Sequence, residues 1–83
     1  MAKDCRFQPA HKRLVGILIK ERRRRGWRQF EVAKLMGRSQ TWVARIESGQ
    51  RRIDICEFRD FAKLYEIDPL KLWTRITGDV EKV

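Results

Sequence analysis

Twenty consecutive residues, Gln29 to Ser48, constrain this chain more than any other stretch. Within "QFEVAKLMGRSQTWVARIES" the small residue Ala33 precedes Gly37 by one helical turn, and apolar side chains stand at Val32, Met36, Val43 and Ile46. Two helices that cross closely need a small side chain at the crossing, a glycine where the connection turns left-handed, and apolar inner faces. All three needs are met together. The spacing therefore predicts a helix over "QFEVAKLM", a turn at Gly37, and a second helix over "QTWVARIES" that Ser39 caps and Gly49 ends.

Similar punctuation marks the rest of the chain. Residues 1–8 read as a flexible arm, and Pro9 suits the first position of a helix through "AHKRLVGILIKERRRR" that stops at Gly26. Asp54 and Glu57 form a capping box, with Ile53 and Phe58 as a hydrophobic staple, at the head of a helix from about Ile55 to Tyr65. Its apolar face is Phe58, Phe61, Ala62 and Tyr65. Asp68 and Pro69 open a fifth helix with Leu70, Trp73 and Ile76 on one face and Leu72 beside it. Strand alternation, hairpin turns, repeats and linkers are missing from the sequence. The expectation is an all-α fold of five short helices, one domain over residues 9–77, followed by a tail over 78–83.

Composition then limits the partner. The 83 residues carry a formal charge of +9, yet 42% are apolar, enough to fold rather than to remain a polar tail. Residues 1–52 hold net +11 and residues 53–83 net −2, so one part of the fold is built to face an anion. Cys5, Cys56 and the single histidine, His11, offer neither a zinc site nor a disulfide framework, and they read as two reduced thiols and a surface histidine. No cofactor is expected. No apolar run reaches the roughly 18 residues of a membrane span, no signal-like start is present, and a cytoplasmic location at the nucleoid follows as an expectation. With no carboxylate pair, nucleophile–base set or phosphate-cradling loop, and no small-molecule substrate implied, an enzyme is the least favoured class.

At about 100° per residue, the helix over 40–48 groups Val43, Ile46 and Glu47 on one side and Gln40, Thr41, Ala44, Arg45 and Ser48 on the other. The second set is suited to a major groove: glutamine pairs with adenine, arginine with guanine, and threonine or alanine meets the thymine methyl. On the first helix Arg22 falls inside the apolar arc set by Leu14, Val15, Ile17 and Leu18, whereas Arg23 and Arg24 fall outside it and the direction of Arg25 stays open.

Over residues 12–77 the chain resembles the Xre-like helix-turn-helix domains of phage repressors and Cro proteins, through "RGWRQFEVAKLMGRSQTWVARIESGQRR" followed by "IDICEFRDFAKLYEIDPLKLW". The resemblance implies a five-helix, lambda-repressor-like domain that acts as a homodimer on a palindromic operator in bacteria or their phages. It implies that Gln40, Thr41 and Arg45 read bases, that Gln29 grips a phosphate, and that Arg51 and Arg52 contact the backbone. It also implies an ion pair between Arg22 and Glu47. Two positions depart from the family pattern: Arg28 replaces the usual Ser or Thr cap, and Arg38 replaces a branched apolar residue. Both add a cation beside the expected DNA face, where Ser39 also stands.

Three tryptophans remain. Trp42 lies at the border of core and groove and is open to two places, packed under the helix junction or against the DNA, at its sugar-phosphate backbone or a thymine methyl. Trp27 is expected to cover the core. The stripe Leu70, Trp73 and Ile76 suits either core or a dimer surface. The leading expectation is a sequence-specific regulator of double-stranded DNA, a repressor in the first instance. The competing ones are an antitoxin-like module that binds a protein partner through the same fold, and a sequence-independent nucleic-acid binder.

Overall fold

Four of the five helices end in the same way, and that shared ending sets the shape of the chain. The computed structural model describes residues 4–78, which contain helices α1 (Pro9–Arg24), α2 (Gln29–Met36), α3 (Gln40–Glu47), α4 (Ile55–Leu64) and α5 (Pro69–Thr77) and no strand among them. After α1 to α4 a residue turns left-handed and the next amide reaches back to a carbonyl in the last turn: Trp27 to Arg22, Arg38 to Ala33, Gln50 to Arg45 and Ile67 to Ala62, at 2.9–3.1 Å. Each closure satisfies carbonyls that a helix end otherwise leaves unpaired. Gly37, at φ 68°, makes the α2–α3 connection only two residues long before the Ser39 cap. At the fourth closure the left-handed residue is Glu66, at φ 55°.

The helix starts are equally explicit. Ser39 Oγ accepts the Trp42 amide at 3.1 Å, and Asp54 accepts the Glu57 amide at 2.7 Å while Glu57 Oε1 accepts the Asp54 amide at 3.0 Å. Asp68 accepts the Leu70 amide at 2.8 Å, with Pro69 at the first helical position. At α2, where Arg28 has no acceptor to offer, only half a box forms: Glu31 Oε1 accepts the Arg28 amide at 2.8 Å.

The core takes Leu14 and Leu18 from α1, Val32 and Ala33 from α2, Val43 and Ile46 from α3, Phe61 and Ala62 from α4, and Leu72 and Ile76 from α5. Four aromatic rings run through it in sequence. Trp42 stacks on Phe61 (5.6 Å, 5°), Phe61 on Tyr65 (6.4 Å, 8°), and Tyr65 meets Trp27 at 6.0 Å. Burial pushes the Tyr65 phenol up to about 12.

Three expectations change. The arm reading of residues 1–8 does not fit the described part: Asp4 caps a 3-10 turn at Cys5–Phe7, and Arg6 Nη1 donates to the Gln50 carbonyl at 2.7 Å. Residues 1–3, and residues 79–83 of the expected tail, lie outside the described set. The α5 stripe is split, because Leu72 and Ile76 turn to the core while Leu70 and Trp73 stay 72% and 54% exposed. Ile76 is therefore not available as a dimer residue. His11 is buried, not a surface group, because α1 rotates it with Leu14 and Leu18 against the loop before α4, where its Nε2 accepts the Ile53 amide at 3.0 Å. Its Nδ1 then carries the proton, buried with no partner.

Two stability predictions follow from this geometry. Burial lowers the His11 pKa below 6.5; Asp4 opposes the shift and Arg6 adds to it. The folded state thus resists protonation, so its stability is complete above about pH 6.5 and is lost as the pH falls through the folded value. The melting midpoint is expected to drop between about pH 7 and pH 5. His11→Gln, which keeps an acceptor for Ile53, should flatten that drop, since the Asp4 carboxyl, held by Arg6 at about 2, and Glu57, also lowered, titrate further down. An unchanged drop in the variant would contradict the assignment. Glu66→Gly should raise stability by about 0.5–1 kcal/mol in urea titrations by relieving the left-handed conformation.

Candidate nucleic-acid interface

Helix α3 divides cleanly between two environments. Val43 and Ile46 are each 1% exposed, whereas Gln40, Thr41, Arg45 and Ser48 face solvent and Ala44 is half-buried. An eight-residue helix has little stability of its own, so its pose must come from what grips its inner side.

The grip is Glu47. Arg22 Nε and Nη2 donate to its two oxygens at 2.7 and 3.0 Å, and both side chains are about nine-tenths buried. Arg22 Nη1 donates to the Trp27 carbonyl at 2.8 Å, and the carboxylate raises the guanidinium pKa. Gln29 Nε2 adds a third bond to Glu47 at 3.0 Å. One carboxylate thereby joins α1, α2 and α3. Gln29, expected beside a phosphate, spends one of its two amide N–H donors on this joint, which leaves the second for a phosphate oxygen.

Around the outward face stand the expected backbone contacts. Arg28 is exposed at the head of α2, Ser39 caps α3, and Arg52 is exposed in the loop beyond Gly49. Arg38 and Arg51 have a more definite seat. Their guanidiniums lie 4.8 and 5.5 Å from the centre of the Trp42 ring, and both approach Glu57, Arg51 Nη1 at 2.8 Å from Oε1 and Arg38 Nη2 at 3.6 Å from Oε2. Burial would push the Glu57 carboxyl up, but the hydrogen bonds from Arg51 and the Asp54 amide, with the charges of Arg51 and Arg38, hold it below its ordinary value.

Trp42 belongs to the core. It is 9% exposed, stacked on Phe61 beneath the two arginines, and its Nε1 is buried without a partner, so it offers the DNA backbone no donor. Its expected contact with the backbone is corrected accordingly. The arginine run of α1 is likewise resolved. Arg25 turns inward, donating to Glu21 at 2.6 Å and to the Tyr65 carbonyl at 2.8 Å while covering the rings of Trp27 and Tyr65. Arg24 pairs with Glu21 at 2.9 Å on the surface, and Arg23 is exposed. The residue that sequence reasoning missed at this site is Glu57. Its capping spacing was visible, but its ion pairs depend on the distant α2–α3 turn, which brings Arg38, and on how the loop before α4 folds Arg51 back.

A family model described as helix-turn-helix domain matches residues 14–72. The chain belongs to that family. No curated protein and no solved structure matches it. The matched span begins within α1 and ends within α5, so it takes in the whole α2–α3 unit and the helices that brace it. Membership makes this a DNA-binding domain of a typically non-enzymatic kind. Among the described residues no group of three His, Cys, Asp or Glu is placed to hold a metal, and no helix is long and apolar enough to cross a membrane.

The helix-turn-helix joint gives a direct test. Arg22→Ala leaves Glu47 buried with only Gln29, and should cost roughly 3 kcal/mol. Arg23→Ala, on the exposed side of the same helix, should stay within about 0.5 kcal/mol. Equal melting midpoints for the two variants would remove Glu47 from its bracing role.

Proposed function

We propose that the protein is a sequence-specific transcription regulator of Xre-like type, a repressor that binds double-stranded DNA as a homodimer on a palindromic operator at the bacterial nucleoid. The observation that carries this reading is the division of α3, whose inner side is fixed by Glu47, Val43 and Ile46 while Gln40, Thr41 and Arg45 point to solvent. In this reading α3 enters the major groove. Gln40, Thr41, Ala44 and Arg45 read base edges, and Arg28, Gln29, Arg38, Ser39, Arg51 and Arg52 meet the sugar-phosphate backbone. Repression follows from occlusion of the promoter.

Dimerisation draws on the apolar surface that the fold leaves open. Ile55, Leu70 and Trp73 are 83%, 72% and 54% exposed, and Trp73 packs edge-on against Phe58 at 6.2 Å. A homodimer on such an operator needs its two recognition helices about 34 Å apart, one helical turn of DNA, and Leu70 and Trp73 are the candidate seam. The same surface supports a second reading, in which an unrelated protein, such as the toxin of an antitoxin pair, docks there. Selection of bound sites from random duplexes, with native mass measurement of the free protein, separates the two. Palindromic sites and twice the chain mass support the homodimer; a monomer mass with single half-sites sinks it.

Base reading has its own measurement. Arg45→Ala should weaken the selected site by about 1–3 kcal/mol and leave binding to scrambled duplex nearly unchanged. A loss of equal size on both DNAs would reassign Arg45 to phosphate.

A further inference from the structure

A glutamate at the third position of a helix needs only one oxygen and little burial to cap the preceding amide. Glu57 goes further. Its side chain is 4% exposed, Oε1 takes both the Asp54 amide and Arg51, and Oε2 faces Arg38. The two arginines come from opposite ends of the recognition helix, Arg38 from the α2–α3 turn and Arg51 from the loop after α3. Trp42, in the first turn of α3, lies beneath both.

Charge and entropy give this cluster a direction. Two guanidiniums over one carboxylate leave a net positive charge, and the arginines remain 45% and 36% exposed, so the excess faces solvent. Like charges held this close attract an anion on their open side as well as on their buried side. A free arginine gives up several rotamers when it meets a phosphate, whereas one already stacked and paired has lost them on folding. Arg38 stands in the turn two residues before Gln40, and Trp42, on which both arginines rest, directly follows the exposed Thr41; the anion that a DNA-binding domain meets beside such a face is a backbone phosphate.

We propose that Glu57 is a positioning residue for DNA: acting through Arg38 and Arg51, which rest on Trp42, it holds a preformed two-guanidinium seat for a backbone phosphate beside the recognition helix. The proposal rests on the DNA-binding reading above. It also makes an unusual demand of sign. If Glu57 acted only as a negative charge near DNA, neutralising it would tighten binding; as a positioning residue, neutralising it loosens binding.

The test is Glu57→Gln, which keeps the volume and an acceptor for the Asp54 amide but removes the charge. Duplex affinity is measured by fluorescence anisotropy at one salt concentration, well below the melting midpoint of each variant. Affinity for selected and scrambled duplexes should fall together by about five- to tenfold, although the variant carries one more positive charge. In an Arg38→Gln/Arg51→Gln background the same change should alter affinity less than about twofold, which a merely structural role would not produce. Should Glu57→Gln melt below the assay temperature, Arg51→Lys keeps the charge and loses the planar stacked fork, and a comparable loss is expected. Unchanged or tighter binding by Glu57→Gln, a full loss in the double-variant background, or wild-type affinity in Arg51→Lys overturns the positioning role alone. Failure of the unaltered protein to bind any duplex overturns the DNA reading and this proposal with it.

Discussion

The bond set on Glu47 is the constraint that the remaining structure depends on. Helix α3 is too short to hold its own shape, yet the surface it presents has meaning only if its rotation is fixed. Arg22 supplies that fixation with three separate donors, two to the carboxylate and one to the Trp27 carbonyl. Lysine, with a point charge on a flexible stem, has no comparable fork. Because Gln29 completes the set from the head of α2, the turn at Gly37 is closed by a tie across its open end as well as by its own backbone bonds. A desolvated ion pair is a weak source of net stability compared with apolar packing, but it is demanding about geometry. Register is what this joint contributes.

The high arginine content looks, in composition, like a single electrostatic footprint. In the fold it divides into several kinds of work. Arg25 covers one end of the ring column and Arg38 and Arg51 cover the other, so the stack from Trp27 through Tyr65 and Phe61 to Trp42 carries cations at both ends. Arg13 donates to the Ile76 carbonyl at 3.0 Å, and Arg6 to the Gln50 carbonyl. Guanidinium suits these places because it stacks on aromatic faces and desolvates more readily than an ammonium. The net +11 of residues 1–52 therefore overstates what is free to meet phosphate, and the position of each arginine says more than the sum.

What was legible in the sequence follows from the range of the forces involved. Helix limits were readable because caps and left-handed closures are local: Ser39, Asp54, Asp68, Gly37 and Gly49 act within four or five residues of themselves. The inner faces of α2 and α3 were readable because burial follows the 3.6-residue period. Trp42 was not, since the ring that takes it, Phe61, arrives from another helix. The rotation of α5 was set by packing against α1 and α4, which chose Leu72 and Ile76 over the equally regular Leu70 and Trp73. His11 carried no local signal either, because its partner is an amide 42 residues away.

The same contrast bears on the loop after α3, which in most folds would be the least constrained part of a binding surface. Here it is tied from three sides: Arg6 holds the Gln50 carbonyl, Glu57 holds Arg51, and His11 holds the Ile53 amide. These ties come from the 3-10 turn, α4 and α1, so three separate elements converge on three residues of the stretch 50–53. A loop fixed in this way moves with the body of the domain. The cations at its centre then keep their distance from the α3 face, and under the proposed function a contact to the backbone made by the loop would restrict where along the groove that face lies. In the proposed reading, phosphate contact, nominally blind to sequence, thereby becomes part of how sequence is read.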